Sequence, residues 1–392
     1  MIRNRELSAL IAITGVLLFF GLIMAYSASA AVGQKNMADD YYYLKRMLAF
    51  TSLGVVMMVL AASIRYETWT RQWPLFYALS VVGLLLVFTP LGVSAGDGVR
   101  RSFSVGVATV QPSEFARFAI IFFLAAFCSK NAEKLKDIKK GLAPAMVGVS
   151  ILAVLILAGK DIGIPATIGV TALLLLFIAG ADILHIGAIA GAAIGFLFPL
   201  IYFEPYRWKR LITFIDPWKD AQNGGWQIIQ SMAALGSGGL FGAGPGRGLQ
   251  KYLYLPAAHT DFVFSIIGEE MGLVGTMTIN LAFVALAVVG LKIALKAANR
   301  EASFLALGIS IMICSTALIN MAVATALLPT KGITLPLVSY GGSSLLANMF
   351  ALGILMNIAA SSVEPRSVGL MHGLSGVAGS SRLSKEKYWE GI

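Results

Sequence analysis

Ten apolar runs, most of them near the roughly 20 residues that a bilayer-crossing helix needs, decide what this chain can fold into. They lie near 8–32, 45–63, 73–92, 113–129, 142–158, 164–180, 184–203, 262–292, 303–328 and 341–362. Alternating polar and apolar strands are absent, which argues against a β-barrel. The expectation is an all-α integral membrane protein with about ten transmembrane helices. Of its 392 residues, 13% are charged, half the share of a soluble domain at about 25%. Arg3 and Arg5 precede a first run too long for the apolar core of a signal peptide, so that run is expected to stay in the mature protein. Cys128 and Cys314 fall in or beside apolar runs and read as small buried hydrophobes. The three histidines are too scattered for a metal site.

Orientation follows the lysine and arginine bias of short loops. With the N-terminus inside, the inner loops are 64–72, 130–141, 181–184 and 293–302, plus a mobile tail over 364–392. Residues 1–363 then form one polytopic domain. The 130–141 loop alone carries five lysines, as the rule requires. The outer segments are also basic. Arg100 and Arg101 lie in 93–112, six cations lie in 204–261, and Lys331 lies in 329–340. Interfacial snorkelling beside tryptophans explains some of them. An outward-facing surface for a phosphate-bearing substrate explains their clustering. The net charge of +10 suits anionic headgroups of membrane lipids and does not imply nucleic acid.

The segment 204–261, between spans seven and eight, is too long for a bare linker. Residues 226–235 read as a short amphipathic helix, and Gly236 to Gly248 is dense in glycine, which permits sharp turns and close approach to a ligand. The segment ends on His259-Thr260-Asp261, where a carboxylate meets the start of an apolar run. A charge there is a functional hypothesis by default, although Asp261 also fits a helix cap. Glu269 and Glu270 follow about two helical turns later, a depth that favours a structural hydrogen-bond role or a proton relay. Asp161 beside Lys160 reads as an interfacial ion pair. Glu114 and Arg117 are three apart, hence on one helical face; they either fix helix packing or organise a polar cavity. Ser339, Gly341, Gly342 and Ser343, just after Lys331, allow either close helix packing or a helix start whose free amides hold a pyrophosphate.

These motifs, in this order, resemble the SEDS family (shape, elongation, division and sporulation). The carriers are Gln111-Pro-Ser-Glu114, Gly236-Ser-Gly-Gly-Leu-Phe-Gly242, Leu255-Pro-x-x-His-Thr-Asp-Phe262, Glu269-Glu270-x-Gly272 and Pro336-Leu-Val-Ser-Tyr-Gly-Gly-Ser343. Within the family, His-Thr-Asp-Phe-x-Phe-x-Ile-Ile-Gly-Glu-Glu is closer to the division branch, FtsW, than to the elongation branch, RodA. The resemblance implies a glycosyltransferase that polymerises lipid II at the outer face of the bacterial cytoplasmic membrane. It implies a class B penicillin-binding protein and other division-complex membrane proteins as partners, and a place at the division septum. It maps the essential outer-loop carboxylate onto Asp261 and the acid–base pair of span four onto Glu114 and Arg117. Many members carry lysine at the place of Arg117, and many carry Pro-Asp where this chain has Lys160-Asp161.

The implied chemistry joins the C4 hydroxyl of one saccharide to the anomeric carbon of another, with inversion. Asp261 is the candidate base. Arg101, Arg117, Lys331 or a divalent cation would meet the charge growing on the pyrophosphate. Arg101, Glu114, Arg117, His259, Thr260, Lys331, Ser339, Gly341, Gly342 and Ser343 are the expected substrate-binding set. Ten spans with internal charges also describe a lipid II flippase or transporter, and a non-catalytic division scaffold is a third reading.

Overall fold

The computed structural model describes residues 4–94, 100–106, 108–252 and 254–362; the tail expected over 364–392 lies outside them. The first span is α1 (Arg5–Ser27), followed by the short α2 (Ala30–Met37). The expected run to residue 32 breaks earlier. Ala28 and Ser29 turn back onto the carbonyls of Met24 and Tyr26, and α2 carries the polar Gln34, Lys35 and Asn36. Next come α3 (Tyr42–Ser63), α4 (Tyr66–Arg71), α5 (Trp73–Leu86), α6 (Pro112–Asn131), α7 (Ala143–Ala158), α8 (Gly163–Ile178) and α9 (Ile183–Tyr202). Two helices, α10 (Pro205–Ile215) and α11 (Trp226–Ser237), lie within the long outer segment. The last described helices are α12 (Val263–Leu295), α13 (Arg300–Ala324) and α14 (Gly342–Ser361).

Eight of the described helices are long and apolar enough to cross a membrane, and α5 and α8 are shorter apolar helices. Together they occupy the ten expected runs. The interior is formed by α6, α13 and α14, whose faces are mostly buried. Around them α3 packs on α14, α5 on α6, and α12 on α13. By contrast α9 buries only Ile186, as a helix facing lipid on nearly all sides would.

The described residues between α5 and α6 include regular strands. These form an antiparallel sheet of β1 (Gly92–Ser94), β2 (Arg100–Val105) and β3 (Ala108–Val110). The β2–β3 hairpin opens its two-residue turn at Gly106, with φ +59°, a conformation such turns require. The strands are too short for an alternating pattern to announce them. They carry Arg101 to the junction of α7 and α8, where it donates to the Lys160 carbonyl.

The largest departure is in α12. Gly272 has φ +64° and ψ −157°, so two helices meet there. A β-carbon on Gly275 would lie 3.2 Å from the Ile267 side chain, and one on Gly268 would lie 3.4 Å from that of Thr276. Residues eight apart in a straight helix are separated by about 12 Å. The segment 263–271 is therefore folded sharply over the longer one that follows. The glycine-rich stretch fills the break. Ala243 and Gly244 donate their amides to the carbonyls of Glu269 and Glu270, and the amides of Leu273 and Val274 donate to Gly239 and Leu240. Side chains would prevent this: a β-carbon on Gly238 or Gly242 would collide with the carbonyl of Gly268 or Glu270.

Candidate active site

Asp261 sits in a tight turn before α12. The amides of Thr260, Asp261 and Phe262 all point to the carbonyl of Ala257, which has φ +55°. Asn320 of α13 donates to the carbonyls of both Asp261, at 2.9 Å, and Ile333, at 2.7 Å. This one amide thus joins the outer loop to the 329–341 segment. Phe262, not Asp261, occupies the cap position of α12, and no side chain caps it. The capping explanation for Asp261 therefore fails, and its carboxylate is left for other work.

That carboxylate is half-buried. Burial pushes its pKa up to about 6; Thr260, Arg210 and Arg101 oppose the rise and Asp161 adds to it. Arg101 reaches the site from β2, with Nη2 donating to the Lys160 carbonyl at 2.9 Å. Gly332 separates the two: its β-carbon would lie 3.4 Å from Asp261 Oδ2 and 3.6 Å from Arg101 Nη1. Arg210 of α10 donates to the Thr330 carbonyl at 3.2 Å. Lys331 is half-buried; burial lowers its pKa, and Asp161 pulls it back up. Three cations from three parts of the chain thus share one region with Asp261.

Two of these members were not expected. Arg210 lies 51 positions from Asp261 and reads in the sequence as one interfacial cation among several. Asp161 is not the interfacial partner of Lys160. It is 3% exposed, and Oδ1 accepts from the first amides of α8, those of Gly163, at 2.9 Å, and Ile164. Its Oδ2 is buried without a hydrogen-bond partner, as is Nε of Arg101; both residues line one small cavity.

His259 belongs to an aromatic cluster. Its ring lies 4.9 Å from that of Tyr43 and 6.0 Å from that of Tyr340. Its carbonyl accepts from the Tyr340 amide at 3.0 Å. Burial lowers its pKa, favouring the uncharged ring. The segment leading to α14 dips into the bundle: the Leu337 carbonyl packs against Gly21, roughly 9 Å from the end of α1. There the hydroxyl of Ser339 accepts from the Leu335 amide at 2.9 Å, and that of Ser343 accepts from the Gln111 amide at 3.0 Å. A β-carbon on Gly342 would come within 2.7 Å of the Phe50 ring, and one on Gly341 within 3.2 Å of Thr334. These contacts are packing contacts, and it is Tyr340 that touches His259.

Glu114 and Arg117 form a buried ion pair of 2.8 Å within α6, with exposures of 6% and 1%. Arg117 Nη1 also reaches Thr316 of α13 at 3.4 Å. Glu269 and Glu270 lie in the helical segment before the break at Gly272 and are 5% and 1% exposed. Glu270 meets Ser27 at the end of α1.

The donor set suits an anion better than a resident metal. Asp261 and Asp161 are two carboxylates among three cations, and among the described residues no group of three or more His, Cys, Asp or Glu could hold a metal ion.

The sequence profile of the cell cycle protein family of FtsW, RodA and SpoVE matches residues 8–364. A probable peptidoglycan glycosyltransferase FtsW of Geobacter metallireducens is 40% identical over 87% of this chain and 91% of its own length. Stage V sporulation protein E of Bacillus subtilis is 39% identical over 89% of this chain and 96% of its own. Among solved structures, a chain from a study of polymerization and crosslinking by a peptidoglycan synthase complex superposes with a TM-score of 0.73. It is 24% identical, over 91% of this chain and 98% of that one.

Proposed function

This chain belongs to the cell cycle protein family of FtsW, RodA and SpoVE, and from that membership we propose that it polymerises lipid II into glycan strands at the outer face of the cytoplasmic membrane during cell division. It is a multi-pass membrane glycosyltransferase of peptidoglycan synthesis. The observation that carries the finer reading is Asp261: a half-buried carboxylate with a pKa near 6, free of capping duty, facing Arg101 across Gly332.

In this reading the acceptor C4 hydroxyl attacks the anomeric carbon of the donor. Asp261 takes the hydroxyl proton as the new C–O bond forms. The bond from the anomeric carbon to the pyrophosphate oxygen breaks, and undecaprenyl pyrophosphate leaves with the electron pair. One displacement turns the α linkage into β. A pKa near 6 leaves Asp261 mostly ionised at neutral pH yet more basic than an ordinary aspartate, as a general base should be. Arg101, Lys331 and Arg210 stabilise the developing charge on the leaving group. His259 packs against Tyr340 beside Asp261. An apolar cleft of about 370 Å³ under the sheet, lined by Phe76, Leu79, Phe103, Phe118 and Phe350 among others, suits a polyprenyl chain. A class B penicillin-binding protein is the partner that would crosslink the product, with both termini of this chain inside the cell.

The test is glycan synthesis from lipid II by purified protein with its transpeptidase partner. Asp261→Ala and Asp261→Asn are expected to abolish polymer while keeping fold and partner binding. A variant that still polymerises near the wild-type rate rules out the base assignment. Movement of lipid II in sealed vesicles without polymer would favour a flippase instead.

A further inference from the structure

The two glutamates that follow Asp261 in the sequence hold the other end of its loop. Glu270 accepts from the Ser27 hydroxyl at 2.6 and 2.7 Å, from the Gly246 amide at 3.0 Å and from Lys251 Nζ at 2.7 Å. Lys251 Nζ also donates to Ser27 at 3.1 Å. Ser27, Lys251 and Glu270 are 5%, 5% and 1% exposed. Glu269 accepts from the amides of Leu249, at 2.6 Å, and Gln250, at 3.2 Å. Three separate parts of the chain, the end of α1, the loop and the folded-back start of α12, meet in this buried knot.

We propose that the Ser27–Lys251–Glu270 knot, with Glu269 beside it, is a positioning device that sets Asp261 for the reaction. This rests on the polymerase reading above. The loop leaves the knot at Lys251 and reaches Asp261 ten positions later. Between them Leu255 is tied back to Gln250, and the Tyr254 carbonyl accepts from the Trp226 indole at 2.6 Å. Asn320 fixes the far end. The knot therefore fixes one end of a short arch and Asn320 the other. Catalysis is sensitive to misplacement of a base by about 1 Å. A buried ion pair is a weak source of stability, but it holds its three segments in one register as directional, mutually satisfied bonds.

The experiment compares Lys251→Met, Glu270→Gln, the double variant and Lys251→Arg in the full-length protein with its partner. Polymerisation kinetics and hydrogen exchange are read together. Each single change is expected to lower kcat tenfold or more, with KM for lipid II within twofold. The double variant should be no worse than either single, since the pair acts as a unit, and Lys251→Arg should recover most of the rate. Exchange should rise at amides 246–262 and stay unchanged in α13. Normal kcat in the folded fraction of the single variants overturns the proposal. So does unchanged exchange at 249–262 in Glu270→Gln, and this readout decides the matter even if the wild type makes no polymer, a result that would count against the polymerase reading alone.

Discussion

Asp261 Oδ2 and Arg101 Nη1 face each other across Gly332, each within 3.6 Å of the point where that glycine would carry a β-carbon. Gly332 is exposed, so the gap opens to the outside. A methyl there would make ordinary van der Waals contact and would not disturb the fold. Gly332→Ala is expected to leave thermal stability unchanged and to lower polymerisation at least tenfold, by occupying the space a substrate must enter. Full activity would show that the gap is not the substrate's path.

The acidic limb of the rate profile should report Asp261. Its pKa is about 6, so kcat/KM is expected to rise as pH passes 6 and level off above 7. Arg101→Gln removes a cation that lowers this pKa, and should move the midpoint up. Asp161→Asn removes a carboxylate that raises it, and should move the midpoint down. Opposite shifts from two neighbours are hard to obtain if another group titrates.

Stability follows the same group with a definite sign. Folding raises the Asp261 pKa from its ordinary 3.8 to about 6. Its contribution favours the folded state below pH 4 and is lost as pH rises through 6. Asp261→Asn is therefore expected to unfold at higher temperature than wild type at pH 7.5, with the difference closing toward pH 4. An unchanged difference across that range would remove the case for a shifted carboxyl.

Three glycine-to-alanine changes separate space from backbone conformation. Gly236 lies within α11 with no neighbour near its would-be β-carbon, so Gly236→Ala should stabilise by up to about 1 kcal/mol. Gly246 has φ +80° but open space, so Gly246→Ala should cost roughly 1–2 kcal/mol. Gly242 has both a positive φ and the Glu270 carbonyl in the way, and Gly242→Ala should prevent the loop from docking. Thermal unfolding in detergent ranks the three.

The Glu114–Arg117 pair is testable as a unit. Removing either partner strands a buried charge and should cost about 3–5 kcal/mol. The double change Glu114→Gln with Arg117→Met should cost much less than the sum of the singles. Additive losses would mean that the two side chains do not act as a pair.

Much of this was readable from residues alone, and the reasons differ by element. Helices α6 and α14 start within one residue of their expected positions, because Pro112 and Gly341-Gly342 mark those starts locally. The break in α12 was not readable. Gly272 lies inside an apolar run, and only the loop packed against it shows why the helix stops there. Its signals were the glycine density of 236–248 and two carboxylates inside an apolar run, but neither says that they meet. Asp261 stood out because a carboxylate ended a polar loop. Arg210 and Asp161 did not, since their relation to Asp261 is purely spatial. The sheet around Arg101 was hidden by the shortness of its strands.

The folded-back start of α12 also bears on how the polypeptide enters the bilayer. Beyond Gly272 the helix runs to Leu295, about 34 Å, enough to cross by itself. Its first amides, on Leu273 and Val274, are satisfied by carbonyls of Gly239 and Leu240, and unpaired backbone groups cost several kcal/mol each in hydrocarbon. The eighth crossing is thus incomplete until residues more than thirty positions earlier in synthesis have settled onto it. Shortening 239–244 should therefore appear first as poor yield of inserted protein, before any effect on chemistry.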